Sequence, residues 1–480
     1  MSISLSQTVL GDIPPEILSR TKLTHLRLEN CAIRLSDNSR ARLERLSNLS
    51  HLNLNSNPLG APIDFSHLTQ LTTLHLRDTG LNTVPLTLLT HVQRYTINLS
   101  GNAITQLPPE LFALPKHLGR VFDLSANPLT YQSLELIKSY CQRTDECFHV
   151  QTPAEHRNRA RQLYPRMAEK DTDRLIFGLP GTLENVDAKL TELEGDYQRL
   201  VAELQHWAND TPEQHPLTGG VLSDDLRIAD EVSRQQYKRL LEEAWRRESP
   251  IDEESLDDRT TYEVVLDQPI IGTLPILSVR LNHVTYFELK GAFTITDING
   301  TLKAFPCLQT LIVTNCTLGK LPSAIFAMPK LSGLELSGCE IALTPAEARS
   351  ISDLDNLEFL HLNNNPLGNA PDVSALQQLT TLQLSNTQIS QVPAGLFQLH
   401  GLQNLDLSNN ALRDVPADIM EMQQVLDNDS DLHNNPWTPE SIELLREYYQ
   451  RTGNDFQILE VTVDENDNPL ESVDEELMEE

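Results

Sequence analysis

Leucines recur along this chain in the pattern LxxLxLxxN/CxL, with unequal intervals between successive copies. In the first half the pattern starts at Leu23, Leu49, Leu71, Arg94 and Gly119, and in the second half at Leu331, Leu357, Leu379, Leu402 and Asp427. Both series step by 26, 22, 23 and 25 residues, at a constant offset of 308. Similar cores make single repeats alike, but a shared series of unequal steps indicates that one block of several repeats is present twice.

The polar positions within each repeat predict a coil with one inward face. In "LSHLNLNSNPL" the alternation places Leu52 and Leu54 in a core and Asn57 at a turn, where its amide can bond the backbone of neighbouring coils. Later segments such as "QLPPELFAL" and "KLPSAIFAM" predict an extended run followed by a short helix. The predicted fold is an α/β repeat solenoid: two duplicated leucine-rich-repeat solenoids joined by an antiparallel α-helical hairpin.

Both predicted solenoids end in the same way. "NPLTYQSLELIKSYCQRTDECF" aligns with "NPWTPESIELLREYYQRTGNDF" at the same offset, and helical spacing of its apolar residues predicts a capping helix. The start differs, because the first half opens in mid-repeat. This predicts either further residues before Met1 or a partner covering that edge, whereas "YEVVLDQPIIGTLPILSV" provides an extended N-terminal cap in the second half.

These patterns define four predicted segments. The predicted segments are a first solenoid with a C-terminal capping helix (1–151), a helical hairpin or coiled-coil segment (152–258), a second solenoid with an N-terminal strand cap and a C-terminal capping helix (259–458), and an acidic disordered tail (459–480). An acidic run at 252–258 separates the hairpin from the second solenoid.

The middle segment carries a seam of apolar residues with alternating spacings of three and four. Its members are Leu183, Val186, Leu190, Leu193, Tyr197, Leu200, Leu204 and Trp207. A second helix is predicted at about 224–247, after the loop "NDTPEQHPLTGG". The seam fits an intramolecular helical hairpin, or an intermolecular coiled coil and hence self-association through the 183–207 helix.

Composition narrows the range of functions. The formal charge of −31 and a pI near 4.8 argue against a nucleic-acid partner and against a polybasic membrane anchor. No Sec signal peptide or long apolar segment is evident, so we expect no membrane insertion. Six cysteines in this length do not indicate a disulfide framework, although Cys141 and Cys147 could form a bridge. Cys31, Cys316 and Cys339 occupy the ladder position, as small buried residues and weak donors.

No catalytic or metal-binding motif appears, and no cofactor is predicted. The candidate site is instead the concave face of each solenoid, formed by the outward residues of each xLxLx segment. The predicted partner-binding residues are His25, Arg27, His51, Asn53, His75, Arg77, Asn98, Glu335, Phe359, His361, Gln383, Asn404, Asp406, Asp429 and Asp431. The first set is rich in histidine and arginine, whereas the second is acidic around Asp406, Asp429 and Asp431, so two surfaces for different protein partners are expected.

The helical segment and the second repeat block also resemble a known group. "RLIFGLPGTLENVDAKLTELEGDYQRLVAELQHW" and "NHVTYFEL…FPCLQTLIVTNCTLGKLPSAIFAMPKL" are similar to large leucine-rich-repeat effector or toxin proteins of pseudomonads and related bacteria, over most of residues 150–458. The resemblance implies secreted effectors whose repeats recognise host proteins, often followed by a novel E3 ubiquitin ligase domain.

The ligase of that family needs a cysteine followed two positions later by aspartate. The residues at that spacing after the six cysteines here are Ile33, Arg143, His149, Gln309, Leu318 and Ile341. We therefore expect a non-enzymatic protein-interaction module of an effector-like virulence protein. The alternative is the substrate-recognition portion of an E3 ubiquitin ligase effector whose catalytic domain is absent from this chain. The expected location is the cytoplasm of a producing bacterium, or a host cell reached without a Sec signal peptide.

Overall fold

The computed structural model describes residues 1–60, 62–90, 96–255, 260–422, 426–427 and 429–458. The chain divides into two compact units, Met1–Gly195 and Asp196–Glu480. The predicted repeat start at Arg94, part of the acidic run at 252–258 and the acidic tail at 459–480 lie outside the described residues.

The first unit contains a parallel sheet with one strand from each coil. Within the described part of this unit, its strands are β1 Ser2–Ser6, β2 His25–Glu29, β3 His51–Asn53, β4 Thr73–His75, β5 Thr96–Asn98 and β6 Phe122–Asp123, in that spatial order. The α-helices are α1 Pro15–Leu18, α2 Asp37–Leu43, α3 Lys116–Gly119, α4 Tyr131–Thr144, α5 Ala154–Leu163 and α6 Glu169–Gly178; 3-10 helices cover Leu86–Thr90, Pro109–Ala113 and Leu183–Asn185. Helix α7, Val186–Asn209, begins in this unit.

The second unit contains the end of α7 and a second parallel sheet. Its other α-helices are α8 Asp224–Trp245, α9 Asn299–Leu302, α10 Pro345–Ser350 and α11 Pro439–Thr452, with 3-10 helices at Ser323–Ala327, Ile351–Asp353, Leu396–Gln398 and Ala417–Glu421. The strands are β7 Tyr262–Leu266, β8 Ile271–Thr273, β9 Val284–Asp297, β10 Thr310–Cys316, β11 Gly333–Glu335, β12 Phe359–His361, β13 Thr381–Gln383 and β14 Asn404–Asp406. The stretch predicted to be extended thus forms β7 and β8, each parallel to β9.

Alternation along the strands builds the core. Successive side chains of a strand point to opposite faces, so the central leucine of each xLx strand points inward. Leu26, Leu52 and Leu74 are buried in the first sheet, as are Leu360 and Leu382 in the second. The pairing register aligns these leucines from strand to strand. The predicted extended-then-helical segments are also present, as 3-10 helices after "QLP" and "KLP".

A buried asparagine ties adjacent coils together, as the repeat pattern predicts. The Oδ1 of Asn57 accepts the backbone N–H groups of Cys31 at 2.9 Å and Ile33 at 3.0 Å. Its Nδ2 donates to the carbonyl oxygens of Leu28 and Leu54 at 2.6 and 2.9 Å. One side chain therefore satisfies four backbone groups that are buried in the turn.

The same arrangement occurs in the second sheet at the expected offset. Asn365 accepts from the backbone N–H groups of Cys339 and Ile341 and donates to the carbonyls of Leu336 and Leu362. Asn102 and Asn410 make the equivalent contacts in later coils. The ladder prediction is confirmed at these positions.

The ladder cysteines have the expected structural role. The Sγ of Cys31 donates to the carbonyl of Glu29 at 3.4 Å, and the Sγ of Cys339 donates to that of Val313 at 3.2 Å. None of the six cysteines, all of which lie within the described residues, forms a disulfide, so Cys141 and Cys147 are not bridged.

Each unit carries the predicted helix after its last strand. Helix α4 begins at the N-cap Thr130, whose side chain accepts from the Ser133 N–H, and α11 begins in the same way at Thr438. Beyond the helices, the Leu124 N–H donates to the carbonyl of Phe148, and the Leu432 N–H donates to that of Phe456. The chain that follows each helix therefore covers the end of the sheet.

The two capping helices differ in one buried cation. Lys138 of α4 is 1% exposed, and its Nζ donates to the carbonyls of Ile176, Phe177 and Leu179 at 3.0, 3.2 and 2.5 Å. These carbonyls lie at the end of α6, where a helix leaves acceptors without intrahelical partners. The equivalent residue of α11, Arg446, lies at the surface and pairs with Glu443.

Helices α7 and α8 account for the predicted helical pair of the middle segment. In the second unit, the Tyr197 ring packs against that of Trp245 with centroids 4.7 Å apart and an interplanar angle of 37°, and Arg234 donates to the carbonyl of Trp207 at 2.9 Å. Arg234 also forms a buried ion pair with Asp230 at 2.7 Å. These contacts place the two helices antiparallel.

Most of the predicted α7 seam is buried within the chain. The buried members are Leu183, Val186, Leu190, Leu200, Leu204 and Trp207, whereas Leu193 and Tyr197 are partly exposed. The helices α5 and α6, which the sequence pattern did not resolve individually, precede α7. Within the described residues, no helix combines the length and apolar character needed to cross a membrane.

Candidate functional site

The predicted partner-binding residues other than Asp429, which lies in a turn, are on the outer faces of the two sheets, the faces that point away from the core. We use "first face" for the outward residues of β2–β5 with Arg77, and "second face" for those of β11–β14 with Asp429 and Asp431. Parallel pairing places residues from adjacent coils in rows, because each coil repeats the same register. Residues distant in sequence are therefore neighbours on each face.

Two rows run across the first face. One aligns His25 with His51, and then with Thr73. The other aligns Arg27, Asn53, His75 and Asn98 in succession, while Arg77 follows the end of β4. The structure thus brings together the residues that the sequence placed on this surface.

Two histidines of the first face, His25 and His51, are in direct contact. The rings of His25 and His51 stack with centroids 4.2 Å apart and an interplanar angle of 10°. Partial burial, then the nearby His25 and His75, lowers the pKa of His51 below its ordinary value of 6.5. The sequence identified these residues but not their stacking, because it does not specify ring orientation.

The arginines of the first face have local carboxylate partners. Arg27 donates to Glu29 at 2.6 Å, and Arg77 to Asp78 at 3.1 Å. These pairs are exposed, so each contributes little to stability. They offset part of the basic character predicted for this face.

The second face has different chemistry at the same register. Glu335, His361, Gln383 and Asp406 form one row, and Asp431 bridges to Asp406. The other row contains Gly333, Phe359, Thr381 and Asn404. A Cβ at Gly333 would lie 2.3 Å from the Phe359 ring, so the glycine accommodates the aromatic side chain. Asp429 is exposed in a turn before this row rather than on a strand.

Carboxylates on the second face have local functions. Asp406 accepts the backbone N–H and the Oγ–H of Ser408, at 3.0 and 2.7 Å. Asp431 accepts the N–H of His433, and the Nδ1 of His433 lies 2.6 Å from the same oxygen. The sequence analysis missed His433, which lies beyond the strand pattern and places its imidazole against the Asp431 carboxylate.

Glu335 and His361 form the remaining charged pair of the second face. The His361 Nδ1 lies 3.8 Å from the Glu335 Oε2, and the imidazole lowers the pKa of Glu335. The ring of His361 also lies 5.1 Å from that of Phe359. Within the described residues, no group of three or more histidine, cysteine, aspartate or glutamate side chains is arranged to hold a metal ion. The two faces instead present polar, charged and aromatic side chains that can contact a partner.

Residues 377–425 match the leucine rich repeat family. This segment contains β13 and β14 and the ladder residue Asn410, so the sequence match falls on the coils whose geometry is described above. Together with the parallel strands and the asparagine ladder, it identifies the fold as a leucine-rich-repeat α/β fold.

Two curated relatives share short segments with this chain. A 77-residue segment, 16% of the chain, is 39% identical to the probable serine/threonine-protein kinase roco9 of Dictyostelium discoideum, covering 2% of that protein. A 118-residue segment, 24% of the chain, is 28% identical to the volume-regulated anion channel subunit LRRC8D of Rattus norvegicus, covering 14% of that protein. The chain thus matches only a small part of each relative's length.

A solved structure of a leucine-rich-repeat protein from Leptospira interrogans is also similar. It is 18% identical, with 95% of each chain covered and a TM-score of 0.27. At that TM-score the likeness adds nothing to the fold assignment, which rests on the strands, the ladder and the family match.

Proposed function

We propose that this chain is a non-enzymatic protein-recognition module that binds partner proteins through the outer faces of its two sheets. The observation that carries the proposal is the contrast between inward and outward residues at equivalent positions. Leu52 and Leu360 occupy the same register and are both buried, while their neighbours are His51 in one sheet and Phe359 in the other. Packing would keep the inward leucines alike in both sheets, whereas the outward residues would be free to differ and to match partners.

The chemistry of the faces supports different partners. The first face presents histidines and arginines, whereas the second presents Glu335, Asp406 and Asp431 beside Phe359. A partner that complements one arrangement meets like charges on the other, and such juxtaposition opposes binding. Each sheet therefore selects its own partner.

We further propose that the two sheets are copies of one block, joined by α7 and α8 as a helical hairpin. The equal offset of the ladder residues Asn57 and Asn365 and of helices α4 and α11 supports this history. In this proposal the segments are 1–151, 152–258, 259–458 and an acidic tail at 459–480.

The setting that we propose is a bacterial effector, produced in the cytoplasm and delivered to a host cell, where the faces recognise host proteins. The support is the resemblance of the helical segment around "LPGTLENVDAKL" to effector proteins. The alternative from the same resemblance is the recognition portion of an E3 ubiquitin ligase. In either setting this chain forms no thioester with ubiquitin when mixed with ubiquitin-loaded E2 enzyme. A thioester that depends on any of its cysteines contradicts the non-enzymatic function.

The proposal is tested by site-specific photocrosslinking on the full chain. A photoreactive phenylalanine is placed at Asn53 or Gln383, on the two outer faces, and at Ala41 or Arg349 as controls. The controls are exposed residues at equivalent positions, in α2 and just before the end of α10. In host lysate we expect adducts from the face positions only, with different masses for the two faces and competition by unlabelled chain.

Two results contradict the proposal. Equal adducts from the helix positions would place recognition elsewhere on the coils. If neither face forms an adduct that unlabelled chain can compete away, neither face is a binding surface.

Self-association through the α7 helix is the other binding mode expected from the sequence. Light scattering over a concentration series tests it, with Leu193→Glu as the variant, because Leu193 is a partly exposed seam residue.

A further inference from the structure

We propose that the first face binds an acidic, carboxylate-rich segment of a partner protein, and that this binding takes up protons at a histidine patch. The patch consists of His25, His51 and His75 together with Arg27 and Arg77. The inference rests on the proposed function and adds to it the chemistry of one partner.

The patch is a continuous surface. His25 and His51 are exposed register partners on β2 and β3 with stacked rings, and His75 lies one strand further on, opposite Asn53. Three imidazoles on three adjacent strands can contact one extended ligand that crosses the strands, since neighbouring strands lie about 5 Å apart.

Hydrogen bonds set the state of the stacked rings. The Thr24 hydroxyl donates to the carbonyl of Met1 at 3.0 Å, so its oxygen accepts from the Nδ1 of His25 at 2.9 Å. The Ser50 hydroxyl donates to the carbonyl of Thr24 at 2.9 Å and accepts from the Nδ1 of His51 at 2.9 Å. Both neutral imidazoles therefore carry their hydrogen on Nδ1, which leaves Nε2 as the basic atom.

Protonation of Nε2 creates a charged N–H donor on each ring. A carboxylate is the complementary acceptor, because charge-assisted hydrogen bonds of this kind are stronger than neutral ones. Without a ligand, two protonated rings in a stack repel each other. Partial burial, followed by the nearby His25 and His75, lowers the pKa of His51 and so acts in the same direction.

The surrounding carboxylates pair with the arginines of the patch and not with its histidines. Strand β1 contributes serines to this face, and the N-terminal amino group donates to Thr24. Strand β2 contributes Glu29 and the end of β4 is followed by Asp78, but these carboxylates are bonded to Arg27 and Arg77 respectively. The outward residues of β3 and β5 next to the patch are Asn53, Thr96 and Asn98, which are uncharged. An acidic ligand therefore supplies the counter-charge that protonated histidines need.

A metal ion is the other ligand that histidines suggest, and the geometry argues against it. Rings stacked at 10° and 4.2 Å lie side by side and do not direct two nitrogen atoms at one ion between them. A carboxylate ligand is compatible with the stacked rings of His25 and His51.

The repeats provide matched substitutions for the test. Thr73 occupies the row of His51 in the next coil, and Gln383 occupies the position of His75 in the second sheet, so the scaffold accepts these residues. The variant H51T/H75Q should keep the fold and remove the patch. His361→Gln, on the second face, is the control that changes the histidine content elsewhere. His25→Gln is a second, single-site variant should the double variant fold poorly.

The experiment measures binding of a labelled peptide of alternating glutamate and glycine to the full chain by fluorescence anisotropy. Its counterpart of alternating glutamine and glycine is the uncharged control. Measurements are made at about pH 5.5 and about pH 7.5 at constant ionic strength. The chain carries a formal charge of −31, so attraction of an acidic peptide has to be local.

We expect the glutamate peptide to bind more tightly at the lower pH, by about tenfold for each proton taken up per pH unit. The glutamine peptide should bind weakly at both pH values. H51T/H75Q should lose the pH dependence and His361→Gln should retain it. Calorimetry in two buffers with different ionisation enthalpies should record proton uptake for the parent chain and for His361→Gln, and no uptake for H51T/H75Q.

Three outcomes overturn the inference. These are no binding of the glutamate peptide at either pH, equal affinity at both, and a pH dependence that persists in both H51T/H75Q and His25→Gln. None of these would remove the photocrosslinked adducts on which the proposed function depends. Absence of adducts from both faces, in contrast, would contradict the proposed function itself.

Discussion

The two sheets of this chain share the same backbone pattern, but the side chains that point outward from their strands differ. Strands β2–β5 and β11–β14 share register, ladder and spacing, yet the pair His25 and His51 in one sheet corresponds to Gly333 and Phe359 in the other. The inward leucines are buried in both sheets, so their identities are constrained by packing. The outward residues make few such contacts and are constrained by whatever binds them. Folding and recognition are thus encoded in alternate residues of the same short strands.

Substitution of the ladder asparagines tests the scaffold that the two sheets share, and we expect it to give the largest effect. Replacing Asn57 or Asn365 by alanine leaves four backbone groups without partners, and we expect each change to lower the free energy of unfolding by about 4 kcal/mol. Hydrogen exchange of the coils around each site measures the loss. Asn53→Ala, on the outer face, is the control and should cost about 1 kcal/mol or less. Clearly unequal losses at Asn57 and Asn365 would contradict the shared scaffold.

Substitutions in the two capping helices test a structural difference between the units, namely the buried cation of α4 that α11 does not have. Lys138→Met removes the donor to three carbonyls at the end of α6, and we expect a loss of about 3 kcal/mol. Arg446→Met, at the equivalent exposed position, should change stability by about 0.5 kcal/mol or less. Urea unfolding followed by circular dichroism compares the two variants. Equal effects would mean that the Lys138 contacts contribute nothing beyond those of a surface cation.

Gly333 tests whether the second face needs its aromatic residue in place. The Cβ introduced by Gly333→Ala would lie 2.3 Å from the Phe359 ring, so the ring must move, at a cost of about 1–2 kcal/mol. His25→Ala is the equivalent change in the first sheet and should have a smaller effect. The double variant Gly333→Ala with Phe359→Ala should recover part of the loss. A cost that is unchanged by removing Phe359 would assign the effect to the backbone.

The smallest expected effect separates the roles of histidine on the two faces. On the second face, His361 lowers the pKa of Glu335 below its ordinary value of 4.5, so the charged carboxylate stabilises the fold above that pH. This stabilisation is lost as the pH falls through the lowered folded-state value. NMR titration should therefore record a higher pKa for Glu335 in His361→Gln. The titration of His51, whose neighbours are histidines, should be unaffected by that change.

The sequence predicted those parts of the molecule that depend on local spacing. The repeat steps located the strands, Asn57 marked the ladder, and the apolar residues around Tyr140 and Tyr448 marked the capping helices. These features follow from periodicity because each coil repeats one set of contacts.

Features that depend on distant partners were not predictable. Lys138 resembles any polar residue of an amphipathic helix until α6 places carbonyls against it. Likewise, His433 lies outside the strand pattern, and only the turn that follows Asp431 brings their side chains together. The strand register places the outward residues in rows, but their mutual pairing, such as that of Arg27 with Glu29, depends on rotamers rather than on spacing.

The bonds that follow the capping helices have a consequence for the behaviour of this protein in solution. An open edge of a parallel sheet is a template on which a strand of another molecule can align and start an aggregate. The Phe148 and Phe456 carbonyls occupy the Leu124 and Leu432 N–H groups at the last coil of each sheet. These two N–H groups are therefore not available to a strand of another molecule, which lowers the risk of fibril growth from the last coil of each sheet.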